Sequence, residues 1–132
     1  MATHREEIRV PASPADVWDA VSDVGALATR LVPGFVTHVQ LEPGARIVTF
    51  ANGATVREPI VAIDSARRRL VWSAEGGLAR HYNAALQVFE DEGGGSRLVW
   101  IADFLPDEIA PRIAAAMQAG ADAMRRASGA GD

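Results

Sequence analysis

The chain has 132 residues, 48% of them hydrophobic, and carries 13 basic and 17 acidic side chains for a net charge of −4. That is material for one ordinary domain burying roughly two-thirds of its unfolded surface, and too little for a cofactor domain joined to a substrate domain. The negative balance argues against nucleic acid as a partner, the lack of cysteine removes disulfides, thiolate nucleophiles and thiolate metal sites, and the lack of lysine removes Schiff-base chemistry.

His4 to Val10 reads as a short strand that stops at Pro11. Ser13 followed by Pro14, with Asp16 close behind, is a helix start, because the serine hydroxyl accepts an orphan backbone N–H and proline suits the first helical position. Val17, Trp18 and Val21 form the buried stripe of that helix. A second short helix is expected from Ala26 to Val32, stopped by Pro33-Gly34.

From Phe35 the apolar residues switch to period two. Six strands are expected: Phe35 to Glu42, Arg46 to Ala51, Ala54 to Asp64, Arg69 to Glu75, Arg80 to Glu90 and Arg97 to Leu105. The turns between them are short, so consecutive strands are antiparallel neighbours. Asn52-Gly53 is the strongest hairpin signal, since both residues tolerate positive φ. Pro59 requires an edge or a bulge.

Ile109, Ile113, Met117, Gly120 and Met124 then recur at helical spacing behind Pro106, with Asp107 and Glu108 at the start and Arg125 and Arg126 at the end complementing the helix dipole. This is the longest helix and the only element able to cover the apolar face of the sheet. Residues 1–132 are expected to form a single domain in which Ser128 to Asp132 fray. No signal-peptide core and no bilayer-length apolar run is present, so a cytoplasmic location without membrane insertion is expected.

In this order and spacing the sequence resembles the START-like, Bet v 1-like helix-grip superfamily (SRPBCC), in particular its polyketide cyclase/dehydrase branch. The residues that carry the resemblance are Pro11-Ala12-Ser13-Pro14 running into Val17-Trp18, then Val32-Pro33-Gly34, Asn52-Gly53 with Arg57-Glu58, Ile63-Asp64, Arg69-Leu70-Val71-Trp72, the alternating Tyr82, Ala84, Leu86 and Val88, and Arg97-Leu98-Val99-Trp100 with Phe104. The resemblance implies an α+β fold: a seven-stranded antiparallel sheet curled around the C-terminal helix, with two short helices between strands 1 and 2. It also implies a cavity between sheet and helix for a small hydrophobic or amphipathic molecule, such as a lipid, a quinone or an aromatic polyketide. No cofactor follows from it.

Period two decides which residues face that helix. Trp72, Ala84 and Leu86 are placed inward with Trp100, Ala102 and Phe104, and Ile113, Met117 and Gly120 face them from the helix as the ligand-binding set. Gly120 costs about 1 kcal/mol against alanine inside a helix, so either the sheet or a ligand comes close there. Glu58 and Tyr82 are the candidate catalytic groups: an inward carboxylate between apolar walls has a raised pKa and can move a proton, and a tyrosine hydroxyl can orient a carbonyl. The alternatives for Glu58 are a buried pair with an arginine such as Arg46, or a bulge at Pro59 that turns it outward. The alternative for Tyr82 is a hydroxyl that merely satisfies a backbone carbonyl.

The three histidines, His4, His38 and His81, show no metal-ligand spacing, and none of the glycines opens a phosphate-binding helix. Val99 and Ile101, extended by Phe89 and Val71, leave an apolar stripe on the outer face, where a homodimer contact is expected. Binding and catalysis both remain open as the function of the inner face.

Overall fold

The computed structural model describes residues 1–129. Strand β1 (Ala2–Val10) leads into helix α1 (Pro14–Ser22), whose N-cap Ser13 accepts a hydrogen bond from the Asp16 N–H at 3.2 Å. The expected second short helix is present as a π-helical turn over Leu27–Leu31, entered through a 3₁₀ turn over Val24–Ala26. Strands β2 (Val36–Glu42), β3 (Ala45–Phe50), β4 (Thr55–Asp64), β5 (Arg69–Ser73), β6 (His81–Glu90) and β7 (Ser96–Leu105) follow, then a 3₁₀ turn over Asp107–Ile109 and helix α2 (Ala110–Ala127).

The strands form one antiparallel sheet in the order β1-β7-β6-β5-β4-β3-β2. Its two edges, β1 and β2, are bridged by the helical segment between them. Helix α2 packs on β1 and on the Leu27–Leu31 turn. At the end of α2, the Ser128 N–H reaches the Met124 carbonyl at 3.0 Å and the Gly129 N–H reaches that of Arg126 at 3.4 Å, which caps the last turn. The remainder of the expected frayed tail lies outside the described residues.

Directly opposed residues in an antiparallel pair share a face, so the register fixes which side chains lie under α2. Leu70, Leu86, Trp100 and Glu6 make one rung across β5, β6, β7 and β1. Ile60, Trp72, Ala84, Ala102 and His4 make the next, and Tyr82, Phe104 and Ala2 the one after. The inner residues expected on β7 (Leu98, Trp100, Ala102, Phe104) are all buried, as are Leu70, Trp72, Ala84, Leu86 and Val88. Val61 is the extra residue of a bulge in β4, where Ile60 opposes Trp72 but Ala62 opposes Val71. That bulge lies two residues beyond Pro59, so Glu58 keeps its inward direction.

The turn at Asn52-Gly53 is longer than a two-residue hairpin. Phe50 donates to the Ala54 carbonyl and accepts from the Gly53 N–H, both at 2.9 Å, which leaves Ala51, Asn52 and Gly53 in the loop. Only Gly53 takes positive φ, at 89°. The Asn52 side chain instead accepts the Ala54 N–H at 2.9 Å, which holds the loop without a left-handed asparagine.

Candidate functional site

The inner face holds one buried ion pair. Arg46 on β3 and Glu58 on β4 are register partners, 2% and 6% exposed, and Arg46 Nε donates to Glu58 Oε1 at 2.9 Å. Arg46 Nη1 also donates to the Val24 carbonyl at 3.2 Å, and its guanidinium stands 5.5 Å from the centre of the Trp72 ring. The pair therefore ties the sheet to the 3₁₀ turn and borders the aromatic interior. This is the arginine partner that the sequence offered as the structural alternative for Glu58.

Burial pushes the Glu58 carboxyl above its ordinary range, and the Arg46 charge and hydrogen bond pull the other way. Tyr82 lies on the same face of the sheet. Its phenol is pushed well above its ordinary value, first by desolvation and then by the negative charge of Glu58. The two candidate catalytic groups are thus within electrostatic reach of one another, but no hydrogen bond joins them among the described residues.

Trp100 is 6% exposed, and its indole crosses from β7 to α2. A Cβ placed on Gly120 would lie 2.9 Å from Cη2 and from Cζ3 of that ring, and 3.2 Å from Cε2 of Phe35. Gly120 is therefore the point where a sheet side chain approaches the helix, the first of the two readings open from the sequence. The interior is closed there. Trp72, Ala84, Ala102, Phe104 and Met117 are buried in the same core, with Tyr82 and Ile113 partly buried against it. Among the described residues the Trp100 Nε1 atom is buried without any hydrogen-bond partner.

Sequence reasoning missed a second polar pair on this face. His4 and Glu6 are register partners of Ala102 and Trp100, so both point toward α2, and His4 Nε2 lies 2.5 Å from Glu6 Oε2. The available signal was their spacing: residues two apart in a strand share a face. Phe35 and Phe50 were missed as well. Their rings meet edge to face at 5.4 Å, beside the Gly120 contact.

The family described as "Polyketide cyclase / dehydrase and lipid transport" matches residues 1–129. The chain belongs to this family. Among solved structures it is similar to an uncharacterised protein from Bacillus thuringiensis at 19% identity (TM-score 0.85, covering 96% of this chain and 98% of that one). It is also similar to the protein XoxI from Bacillus cereus at 20% identity (TM-score 0.84, 97% and 96%) and to Ara h 8.0201 at 23% identity (TM-score 0.74, 98% and 99%). No curated protein sequence matches the chain. These likenesses show the Bet v 1-like helix-grip fold, and family and fold together suggest a hydrophobic-ligand-binding or polyketide-cyclase-like role. Among the described residues no helix is long and apolar enough to cross a membrane.

Proposed function

We propose that this chain binds a small hydrophobic or amphipathic molecule, of the lipid, quinone or aromatic polyketide kind, between the inner face of its sheet and α2. The observation that carries the reading is the buried, unpartnered Nε1–H of Trp100 on the inner face of the sheet. An unsatisfied buried donor costs about 1–3 kcal/mol, and a guest bearing a carbonyl or hydroxyl oxygen offsets that cost where an alkane does not. Ala84 and Ala102 are adjacent on the rung next to that of the indole, and their small side chains favour this place for a guest.

The test is native mass spectrometry with thermal-shift screening against lipids, quinones and aromatic polyketide-like compounds. A carbonyl-bearing ligand at about a hundred times its Kd is expected to stabilise the wild-type fold by roughly 2.7 kcal/mol. Trp100→Phe removes the N–H and weakens that ligand about tenfold, in line with the loss of one hydrogen bond. An unshifted Tm with every ligand class would overturn the proposal.

A second reading has its own support, since the carboxyl of Glu58 is raised and Tyr82 shares its face. In that reading the guest is a substrate of cyclase, aromatase or dehydratase chemistry, and one of these groups moves a proton. Glu58→Gln or Tyr82→Phe then lowers turnover by about 10²–10⁴-fold while the ligand still binds. Equal turnover in wild type and both variants excludes it.

A further inference from the structure

We infer that the outer face of the sheet carries a second binding site, for a small aromatic or alkyl anion such as a carboxylate, a sulfonate or a phosphate monoester. A shallow concavity of about 330 Å³ lies on the face turned away from α2, floored by Ala85, Val99 and Ile101 and rimmed by Arg5, Arg69 and Arg97. The concavity is open to solvent, so its apolar floor and its three guanidinium groups are both reached from the surface.

The charges around this floor do not balance. Arg5 and Arg9 each place Nη2 3.3 Å from a Glu7 oxygen, and Arg97 Nη1 approaches the same carboxylate at 3.6 Å. Arg9 also reaches Asp91 at 3.5 Å. One glutamate thus serves three arginines. Asp64, the register partner of Arg69, is engaged by Arg67 at 3.2 Å, and among the described residues no carboxylate lies within ion-pair distance of Arg69. With Arg67 and with Asp103, which accepts from Thr3 and Asn83 on the same face, five arginines face four carboxylates among the described residues, and none of those carboxylates lines the concavity itself, in a chain whose net charge is −4.

An anion supplies the missing charge. A planar guanidinium pairs with two oxygens of a carboxylate, sulfonate or phosphate at once, and the apolar part of the ligand covers Val99 and Ile101. Arg97 is pre-positioned, with its guanidinium 4.7 Å from the centre of the Phe89 ring. A two-fold dimer centred on the same stripe would set these arginines against their counterparts, which disfavours a second copy as the occupant.

The experiment is an amide-resolved NMR titration of the full chain with naphthalene-2-sulfonate and, separately, with neutral 2-naphthol. The sulfonate is expected to shift the amides of Ala85, Gln87 and Val99, to bind at least about tenfold more tightly than 2-naphthol, and to weaken as salt is raised. Arg69→Gln weakens it about tenfold with no change in Tm, because the exposed Arg69 side chain has no carboxylate partner to lose; Arg97→Gln is the second variant. Equal affinity for the neutral probe, shifts centred instead on Gly120, Met117 and the Trp100 indole, or a protein that dimerises through this stripe and leaves the sulfonate unbound would each overturn the inference.

Discussion

Gly120 and Trp100 are fitted to each other: the indole occupies the volume that any side chain at position 120 would need, with two ring atoms 2.9 Å from where a Cβ would stand. Phe35 closes the same spot from the other side at 3.2 Å. The sheet and the long helix therefore meet closely at this aromatic contact.

Gly120→Ala is expected to destabilise the fold although alanine is the better helix former. The substitution gains about 1 kcal/mol of helix propensity. Overpacking a buried, rigid ring costs about 1–3 kcal/mol, so the net loss is on the order of 1 kcal/mol. Urea unfolding measures it. Trp100→Phe shortens the ring and is expected to relieve most of the loss in the double variant, so an additive cycle would mean that the two residues do not oppose each other.

Much of the fold was legible because period two and the turn residues point to the same register. Alternation groups Leu98, Trp100, Ala102 and Phe104 on one face, and their larger aromatic content together with the family resemblance puts that face inward. Other features depend on contacts between segments distant in sequence. The segment from Val24 to Leu31 is helical as its composition implies, but its geometry is 3₁₀ and then π, and the contacts of Gly25 with the Leu41 side chain and of the Val24 carbonyl with Arg46 come from residues distant in sequence. The Glu58–Arg46 pair is one of three options the sequence leaves open for Glu58, because the β3–β4 register and the place of the β4 bulge decide it. The Trp100–Gly120 fit was open in the same way, since spacing shows that something approaches a helical glycine but not what. His4 and Glu6 share a face by the same spacing of two, but that spacing does not show that their side chains meet.

Breaking the Arg46–Glu58 pair from either side is expected to be costly. Glu58→Leu leaves a buried guanidinium without its counter-charge, and Arg46→Met leaves a buried carboxylate, so each single variant loses about 3–5 kcal/mol. Replacing both with apolar residues of similar volume is expected to be near neutral. Denaturant unfolding of the two singles and the double checks this; a double variant as unstable as the sum of the singles would show that the two charges contribute independently.

The pH dependence of Glu58 has a definite sign. Its carboxyl is raised in the folded chain above the ordinary value of 4.5, so the folded state holds a proton that the unfolded state has released. The contribution to stability is fully present below pH 4.5 and is lost as pH rises through the folded value. Glu58→Gln cannot titrate. The stability of wild type minus that of Glu58→Gln is therefore expected to fall as pH rises above 4.5 and then to level off. A difference that rises over this interval would mean that Arg46 outweighs burial.

Tyr82 gives the cleanest titration because it is the only tyrosine in the chain. Desolvation, reinforced by the Glu58 charge, holds its phenol protonated in the fold well beyond the ordinary value of 10.0. The phenol of the unfolded chain ionises near that value, so the contribution of Tyr82 to stability is complete below pH 10 and is lost as pH climbs above it. Absorbance at the phenolate band is expected to stay flat past pH 10 and to rise only together with the loss of folded circular dichroism. Tyr82→Phe abolishes the absorbance step and extends the fold to higher pH. A phenolate signal that develops near pH 10 while the circular dichroism is unchanged would show the hydroxyl open to water, and would remove Tyr82 from the walls of the proposed site.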